Sequence, residues 1–334
     1  MRAFLFYLVS ILVGGLFFAF ARWLGNDYLF FAGYTGYINF GTGAFFAIGA
    51  YTTVVLHNLH AKPALMQDWL GVALHKLAAG VDRFFPESLA SIANLILPLN
   101  IPTLIILGGI VSGLIGLGTG YLTLRLRGVF FAIATLALAV VLQTLIVNWS
   151  FVGGSRGAYV IPANTVPVFG PYIQYLFALM LLLVIVALTS ARLIERSSLG
   201  VGFATIRDDE LAAEACGVPT LKLKLIATVL SGALMGMAGA PFPFYIGYTE
   251  PGSVFDLGYA INSIAMPMIG GTGSWIGPLI GAMLLGSIQE VARVTISSAV
   301  NLLIVGLLLI GFVIVAPSGI VGLWQSWFGK RSKP

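Results

Sequence analysis

The chain has 334 residues, 59% of them hydrophobic and 9% charged, with a mean hydropathy of +1.00. Soluble domains carry roughly 25% charged residues, so a compact water-soluble core is excluded and the expected solvent is a bilayer. The formal charge of +5 is spread between apolar runs and forms no single basic stripe, which argues against nucleic acid as a partner; the single Cys216 excludes an intrachain disulfide.

Taken in chain order, the apolar runs predict ten membrane segments, at 3–24, 28–41, 44–57, 99–124, 128–149, 172–193, 225–247, 258–270, 275–291 and 299–317. The first is long enough to cross, at about 20 residues per crossing, and carries no obvious small-residue cleavage motif, so it reads as a span and not a signal peptide. The expected fold is an all-α polytopic membrane protein, with one transmembrane domain over 1–334.

Two pairs of segments are shorter than a full crossing and meet at glycines. Residues 33–51 read GYTGYINFGTGAFFAIGAY and residues 269–285 read IGGTGSWIGPLIGAMLL. Each contains Gly-Thr-Gly, a small residue and an aromatic: Gly41-Thr42-Gly43-Ala44-Phe45 and Gly271-Thr272-Gly273-Ser274-Trp275. Glycine clusters free backbone groups that, in lipid, must be met by protein or by a water-filled cavity. Interrupted helices at corresponding places of two halves point to a transport path. On that reading Gly36, Gly41, Gly43, Gly270, Gly271 and Gly273 are hinges, and the nearby Asn39, Thr42, Asn262 and Thr272 line the path. Close packing of helices through small residues accounts for the same glycines equally well.

A long outer segment, 58–98, contains LMQDWLGVALHKL at 65–77, with Met66, Trp69, Leu70, Ala73 and Leu77 on one helical face. It is expected to lie on the membrane as an amphipathic helix, or to touch an extracytoplasmic partner. His57, His60 and His75 lie at the same interface, and two histidines without a carboxylate or thiolate make a poor metal site, so no metal is expected.

With the N-terminus in the cytoplasm, the inner segments hold eleven of the seventeen basic residues, among them Arg125, Arg127, Arg192, Arg196, Arg207, Lys222 and Lys224; the outer ones hold Arg22, Lys62, Lys76, Arg83, Arg156 and Arg293. The positive-inside rule then puts both termini, the loop 194–224 and the tail 325–334 in the cytoplasm of a cell that keeps this chain in its inner or plasma membrane. No charged residue falls near the middle of a span, which disfavours a proton relay. There is no Gly-x-x-x-x-Gly-Lys-[Ser/Thr] loop, no Gly-x-Ser-x-Gly and no His-Glu-x-x-His. The chain is expected to be no enzyme and to bind no cofactor, so active transport needs energy from another subunit.

The inner loop carries TIRDDELAAEACGVP at 205–219. Thr205 is the expected N-cap, with Asp208 three residues on. Asp208, Asp209 and Glu210 suit the positive end of the helix dipole, and Gly217 followed by Pro219 suits the other end. The predicted helix is 206–216, too short and polar to span, with Leu211, Ala212, Ala215 and Val218 as a small stripe and Ala212, Ala213 and Ala215 leaving low relief. Flanking Arg192, Arg196, Lys222 and Lys224 are expected to hold it at the surface. Such a helix fits either docking in a partner's groove or a solvated loop.

The stretch SSLGVGFATIRDDELAAEACGVPTLKLKLIATVLSGALMGMAGA (197–240) resembles the cytoplasmic coupling segment of LivM-type permeases from branched-chain amino-acid ABC importers. LRLRGVFFAIATLALA (124–139), NWSFVGGSRGAYVIP (148–162), the two glycine-rich segments and Pro317-Ser318-Gly319 are similar to further family motifs. The resemblance implies a permease domain that pairs with a second, homologous permease, two ATPase subunits carrying the ATP and magnesium, and an extracytoplasmic solute-binding protein. It implies that Arg207, Asp208, Asp209, Glu210, Leu211, Ala213, Glu214 and Gly217 couple the chain to the ATPase. Where many relatives have glutamate and histidine, this chain has Val140 and Thr42, and each change removes an ionisable group. The implied cargo is a branched-chain or other hydrophobic amino acid. Urea or a short amide is the alternative within the same importer class, and ion-coupled carriage is the alternative outside it.

Overall fold

The computed structural model describes residues 37, 39–61, 101–160, 165–166, 170–271, 276–295 and 319–328, with single positions between 303 and 314. The expected first span, the amphipathic stretch 65–77, most of 299–317, and Gly36, Thr272 and Gly273 lie outside these residues.

Helix α1 is Thr42–Ala61, α2 is Ile101–Thr123 and α3 is Val129–Val147. Helix α4 (Tyr172–Glu195) leads into α5 (Ser198–Asp208), the short α6 (Glu210–Ala215) and α7 (Thr220–Gly239). Short α8 (Phe242–Ile246) and α9 (Pro251–Val254) precede the hairpin of α10 (Leu257–Gly270) and α11 (Gly277–Thr295), and α12 is Gly319–Phe328. Among the described residues four helical stretches are long and apolar enough to cross a membrane: Ile101–Thr123, Val129–Val147, Tyr172–Glu195 and Thr220–Ile246.

Three of these four lie close to their expected bounds. The fourth ends within one residue of its expected bound but starts earlier and is broken inside. Helix α7 begins at Thr220, before the expected 225, because Leu223, Lys224 and Ala227 are buried on its inner face. It stops at Gly239, and Pro241 at the start of α8 breaks the run.

The architecture is mostly helical but not purely so. Strand β1 (Ala158–Tyr159) pairs antiparallel with β4 (Tyr248–Thr249), and β2 (Thr165–Val166) pairs with β3 (Gly170–Pro171). The chain reaches β1 through two 3-10 turns, with Gly153 at φ 92°, Gly154 at φ 54° and Gly157 at φ 72°. Only glycine adopts these angles freely, so this segment cannot continue as helix.

The centre of the bundle is α1, α2 and α7, joined through small residues. Gly108, Gly109, Ser112, Gly113, Gly116 and Gly120 make a buried stripe on α2. A Cβ on Gly49 would fall 2.0 Å from the Gly236 carbonyl oxygen, and one on Gly239 would fall 2.0 Å from that of Phe46. The backbones therefore touch, and dispersion between them replaces the hydrophobic drive that lipid does not supply. The Ser112 hydroxyl donates to the Phe45 carbonyl at 3.1 Å, and that of Thr53 to Ala240 at 2.8 Å.

The α10–α11 hairpin uses the same device. A Cβ on Gly270 would lie 1.7 Å from the Gly277 oxygen, and one on Gly281 would lie 1.7 Å from the Met266 oxygen. The described break glycines thus sit where chains press together: Gly41 and Gly43 flank the first residue of α1, and Gly271, at φ 115°, ends α10.

Candidate functional site: the inner loop and the polar cleft above it

The loop helix differs from its predicted form. Thr205 is not a cap; it lies inside α5, and its hydroxyl donates to the Gly202 carbonyl at 2.8 Å. Buried Gly200, Phe203 and Ile206 give α5 its own apolar face, which carries it through Asp208. The N-cap is Asp209, in extended conformation, whose carboxylate accepts the Ala212 N–H at 3.0 Å. Helix α6 is therefore a short Glu210–Ala215. Its end is as expected: Gly217 takes φ 83°, and the Val218 N–H bonds back to the Ala213 carbonyl.

Two faces of α6 have different chemistry. Asp208, Asp209, Leu211, Ala212, Ala215 and Gly217 are exposed, with Arg207 beside Asp208 at 3.8 Å. Ala213 points inward and is 4% exposed, so of the three alanines expected to leave low relief only Ala212 and Ala215 face outward. Glu210 also turns in. Its Oε1 lies 2.6 Å from the Lys224 Nζ on α7 and 3.8 Å from the Arg127 Nε on the α2–α3 connection. The Tyr37 hydroxyl donates to its other oxygen, and Lys224 sits 4.7 Å from the centre of the Tyr37 ring. Glu214 accepts from the Arg127 Nη2 at 3.0 Å and from the Thr220 hydroxyl at 2.8 Å.

Lys224 is thus no surface anchor; it is buried and paired. Burial pushes the Glu210 carboxyl up. The Lys224 ammonium, the Tyr37 hydroxyl and the Arg127 charge outweigh burial and hold it below the ordinary glutamate range. Next to the cluster Leu124, Phe131, Phe203, Ile206, Leu223 and Ala227 form a second apolar core, separate from the main one. The small helix is therefore fastened to α5, to α7, to the α2–α3 connection and to the segment that opens α1.

That segment leads to a cleft with a mixed lining, mostly apolar in surface but holding five polar side chains. Asn39 is buried, and its Oδ1 accepts the Gly41 N–H at 2.8 Å, while the Phe40 N–H bonds to the Thr135 hydroxyl oxygen at 3.2 Å. Asn39 and Gly41 line the cleft together with Thr119, Thr123, Thr135 and Thr228. Thr42, also buried, keeps a hydroxyl with no hydrogen-bond partner among the described residues. Asn262 lies elsewhere, in the hairpin, where it accepts from Gln289 at 2.8 Å. Gln289, 4% exposed and inside α11, was not singled out in the sequence, although an amide on an apolar helix is expected to find a polar partner. Val140 is 54% exposed on the outer side of α3, away from the described bundle.

Long apolar helices fastened through glycines, with a charged helix hung below them, define a multi-pass helical membrane protein. Residues 27–313 match the family described as "Branched-chain amino acid transport system / permease component", and the chain belongs to that family. It is 26% identical over 325 residues to the "High-affinity branched-chain amino acid transport system permease protein LivM" of Salmonella typhimurium, covering 90% of this chain and 67% of that one. The Escherichia coli protein of the same name is 25% identical over 314 residues, 86% of this chain and 64% of that one. The "Autoinducer 2 import system permease protein LsrC" of Yersinia enterocolitica is 24% identical over 212 residues, 60% of this chain and 57% of that one. The chain thus spans about two thirds of the length of the curated LivM relatives it matches. No solved structure gives a significant match.

Proposed function

We propose that the chain is the permease subunit of an ATP-driven importer for branched-chain or other hydrophobic amino acids. The exposed face of α6 docks on a separate ATPase subunit in the cytoplasm, and ATP-driven closure pushes on it. The chain pairs with a second, homologous permease, a binding protein delivers the solute outside, and two ATPase subunits hold ATP and magnesium. Hydrolysis belongs to those partners. The chain sits in the inner or plasma membrane with both termini in the cytoplasm.

One observation carries this reading. The α6 cap, its exposed Leu211, Ala212 and Ala215, and its buried Glu210–Lys224–Tyr37 contacts form a lever with an outward face and an inward attachment. A solvated loop helix needs no such attachment to three other segments. Within this reading Arg207, Asp208, Asp209, Leu211 and Gly217 shape the docking face, whereas Glu210, Ala213 and Glu214 pass its movement inward.

Copurification is the test. ATPase subunits are expected to come down with the full chain and to drive L-leucine uptake once binding protein is added. Uptake by the chain alone under a sodium or proton gradient, with no ATPase attached, would sink the proposal in favour of an ion-coupled carrier. Urea or a short amide is the second reading of the cargo, supported by the absence of any charged side chain among the described residues that line the cleft.

A further inference from the structure

The cleft at the start of α1 has lopsided hydrogen-bonding chemistry. The Thr119 hydroxyl donates to the Gly116 carbonyl at 3.3 Å, Thr123 to Thr119 at 2.9 Å, Thr135 to Ala132 at 2.8 Å and Thr228 to Lys224 at 2.9 Å. Each proton is committed to its own helix, so these four side chains offer the cleft oxygen lone pairs and no donor, Thr135 with one of its two lone pairs already taken by the Phe40 N–H at 3.2 Å. Asn39 supplies the complement. Its Oδ1 is occupied by the Gly41 N–H, which orients the amide and leaves Nδ2 as a donor with no hydrogen bond among the described residues. Phe45, Phe131 and Leu138 make the apolar side.

With no charge among the described residues of the lining, a net ion finds nothing there to pair with, the situation of any unpaired buried ion. A net-neutral solute whose two opposite charges lie close together, each met by hydrogen bonds, faces a smaller barrier. Urea has donors and acceptors but nothing to set against Phe45, Phe131 and Leu138. The cleft now has room for about one water molecule, so a wall must move. Three walls, α1, α2 and α7, are locked to one another by backbone contact at Gly49, Gly236 and Gly239. The fourth, α3, buries only Phe131 and Thr135 of its 19 residues.

We propose that this cleft is the closed form of the solute site. Thr119, Thr123, Thr135 and Thr228 receive the ammonium of a net-neutral α-amino acid, Asn39 Nδ2 receives its carboxylate, and α3 is the wall that opens. This rests on the amino-acid reading above. The site is tested in the complete importer, with both permeases, ATPases and binding protein in proteoliposomes, using L-leucine and urea as probes. Thr135→Val and Thr228→Val are each expected to lower uptake at subsaturating leucine by about tenfold, as for one lost hydrogen bond to a charged group. Thr135→Ser and Thr228→Ser keep the oxygen and are expected to stay within about twofold of wild type. Leu138→Trp fills the cleft from α3 and removes no hydroxyl, and is expected to abolish uptake while binding-protein-stimulated ATP hydrolysis continues. Wild-type leucine uptake in the valine and tryptophan variants overturns the cleft and leaves the amino-acid reading standing. A wild-type importer that takes up urea and no leucine overturns both.

Discussion

Helices α2 and α3 follow one another, both are apolar enough to cross a bilayer, and they are held in opposite ways. The more apolar of the two, α3, has 11% of its spanning stretch buried inside the chain, against 44% for α2. Hydropathy therefore does not measure internal packing in this molecule. Residue size does. Helix α2 carries a glycine and serine stripe against α7, whereas α3 has no glycine and is mostly Val, Phe, Ile and Leu, with its four alanines scattered among them. In lipid a large apolar side chain gains little by turning inward, and a small one lets backbones meet. The lesson is that the tight trio is a frame and α3 is what the frame leaves free.

The largest expected effect breaks the frame. Gly236→Ala puts a methyl 2.3 Å from the Ser112 Cβ and 2.5 Å from the Gly108 oxygen. It is expected to cost about 3 kcal/mol or more, as an overpacked core does, read as a lowered Tm in detergent. A loss as small as that of an α3 surface variant would erase the contrast.

Next comes the attachment of α6. Lys224→Met leaves the Glu210 carboxylate without its ammonium, and about 2–3 kcal/mol of stability is expected to be lost, less than a fully isolated buried charge because Arg127 stays 3.8 Å away. Adding Glu210→Gln should recover most of it, so a double-mutant cycle reads the coupling directly. The same pair sets a pH dependence. The Glu210 carboxyl titrates below its ordinary value of 4.5 in the folded chain. Its contribution is therefore present above pH 4.5 and lost as pH falls through the lowered value. Melting of Glu210→Gln followed downward from pH 5 is expected to fall less steeply than that of wild type.

The smallest effect has the opposite sign. Gly118 lies on α2 with open space where a Cβ would go. Gly118→Ala is expected to raise stability by about 0.5–1 kcal/mol through helix propensity alone. A loss there, comparable to Gly236→Ala, would mean that the stripe is wider than the structure shows.

Much of this was legible in the residues. Three long helices lie within two residues of their expected bounds, because a bilayer imposes a plain length and polarity rule. Gly217 was legible because a left-handed helix end needs glycine. Thr205 was not, since the apolar spacing of Gly200, Phe203 and Ile206 outweighs its capping preference, and that spacing is visible only once α5 has something to pack on. Lys224 and Ala213 were misplaced for a related reason: charge and smallness suggest a surface, and only the fold brings Glu210 to one and a neighbouring helix to the other. The strand pairs were hidden because two residues per strand carry no alternation to read.

The central claim is that work enters at the exposed face of α6 and reaches the α1–α3 cleft through Glu210, Lys224 and Tyr37. Leucine taken up per ATP hydrolysed, measured in proteoliposomes of the complete importer carrying Ala212→Trp, tests it most directly, because Ala212 is exposed and its replacement leaves the buried contacts intact. The account predicts that hydrolysis continues while uptake falls to background; an unchanged ratio of uptake to hydrolysis would contradict it.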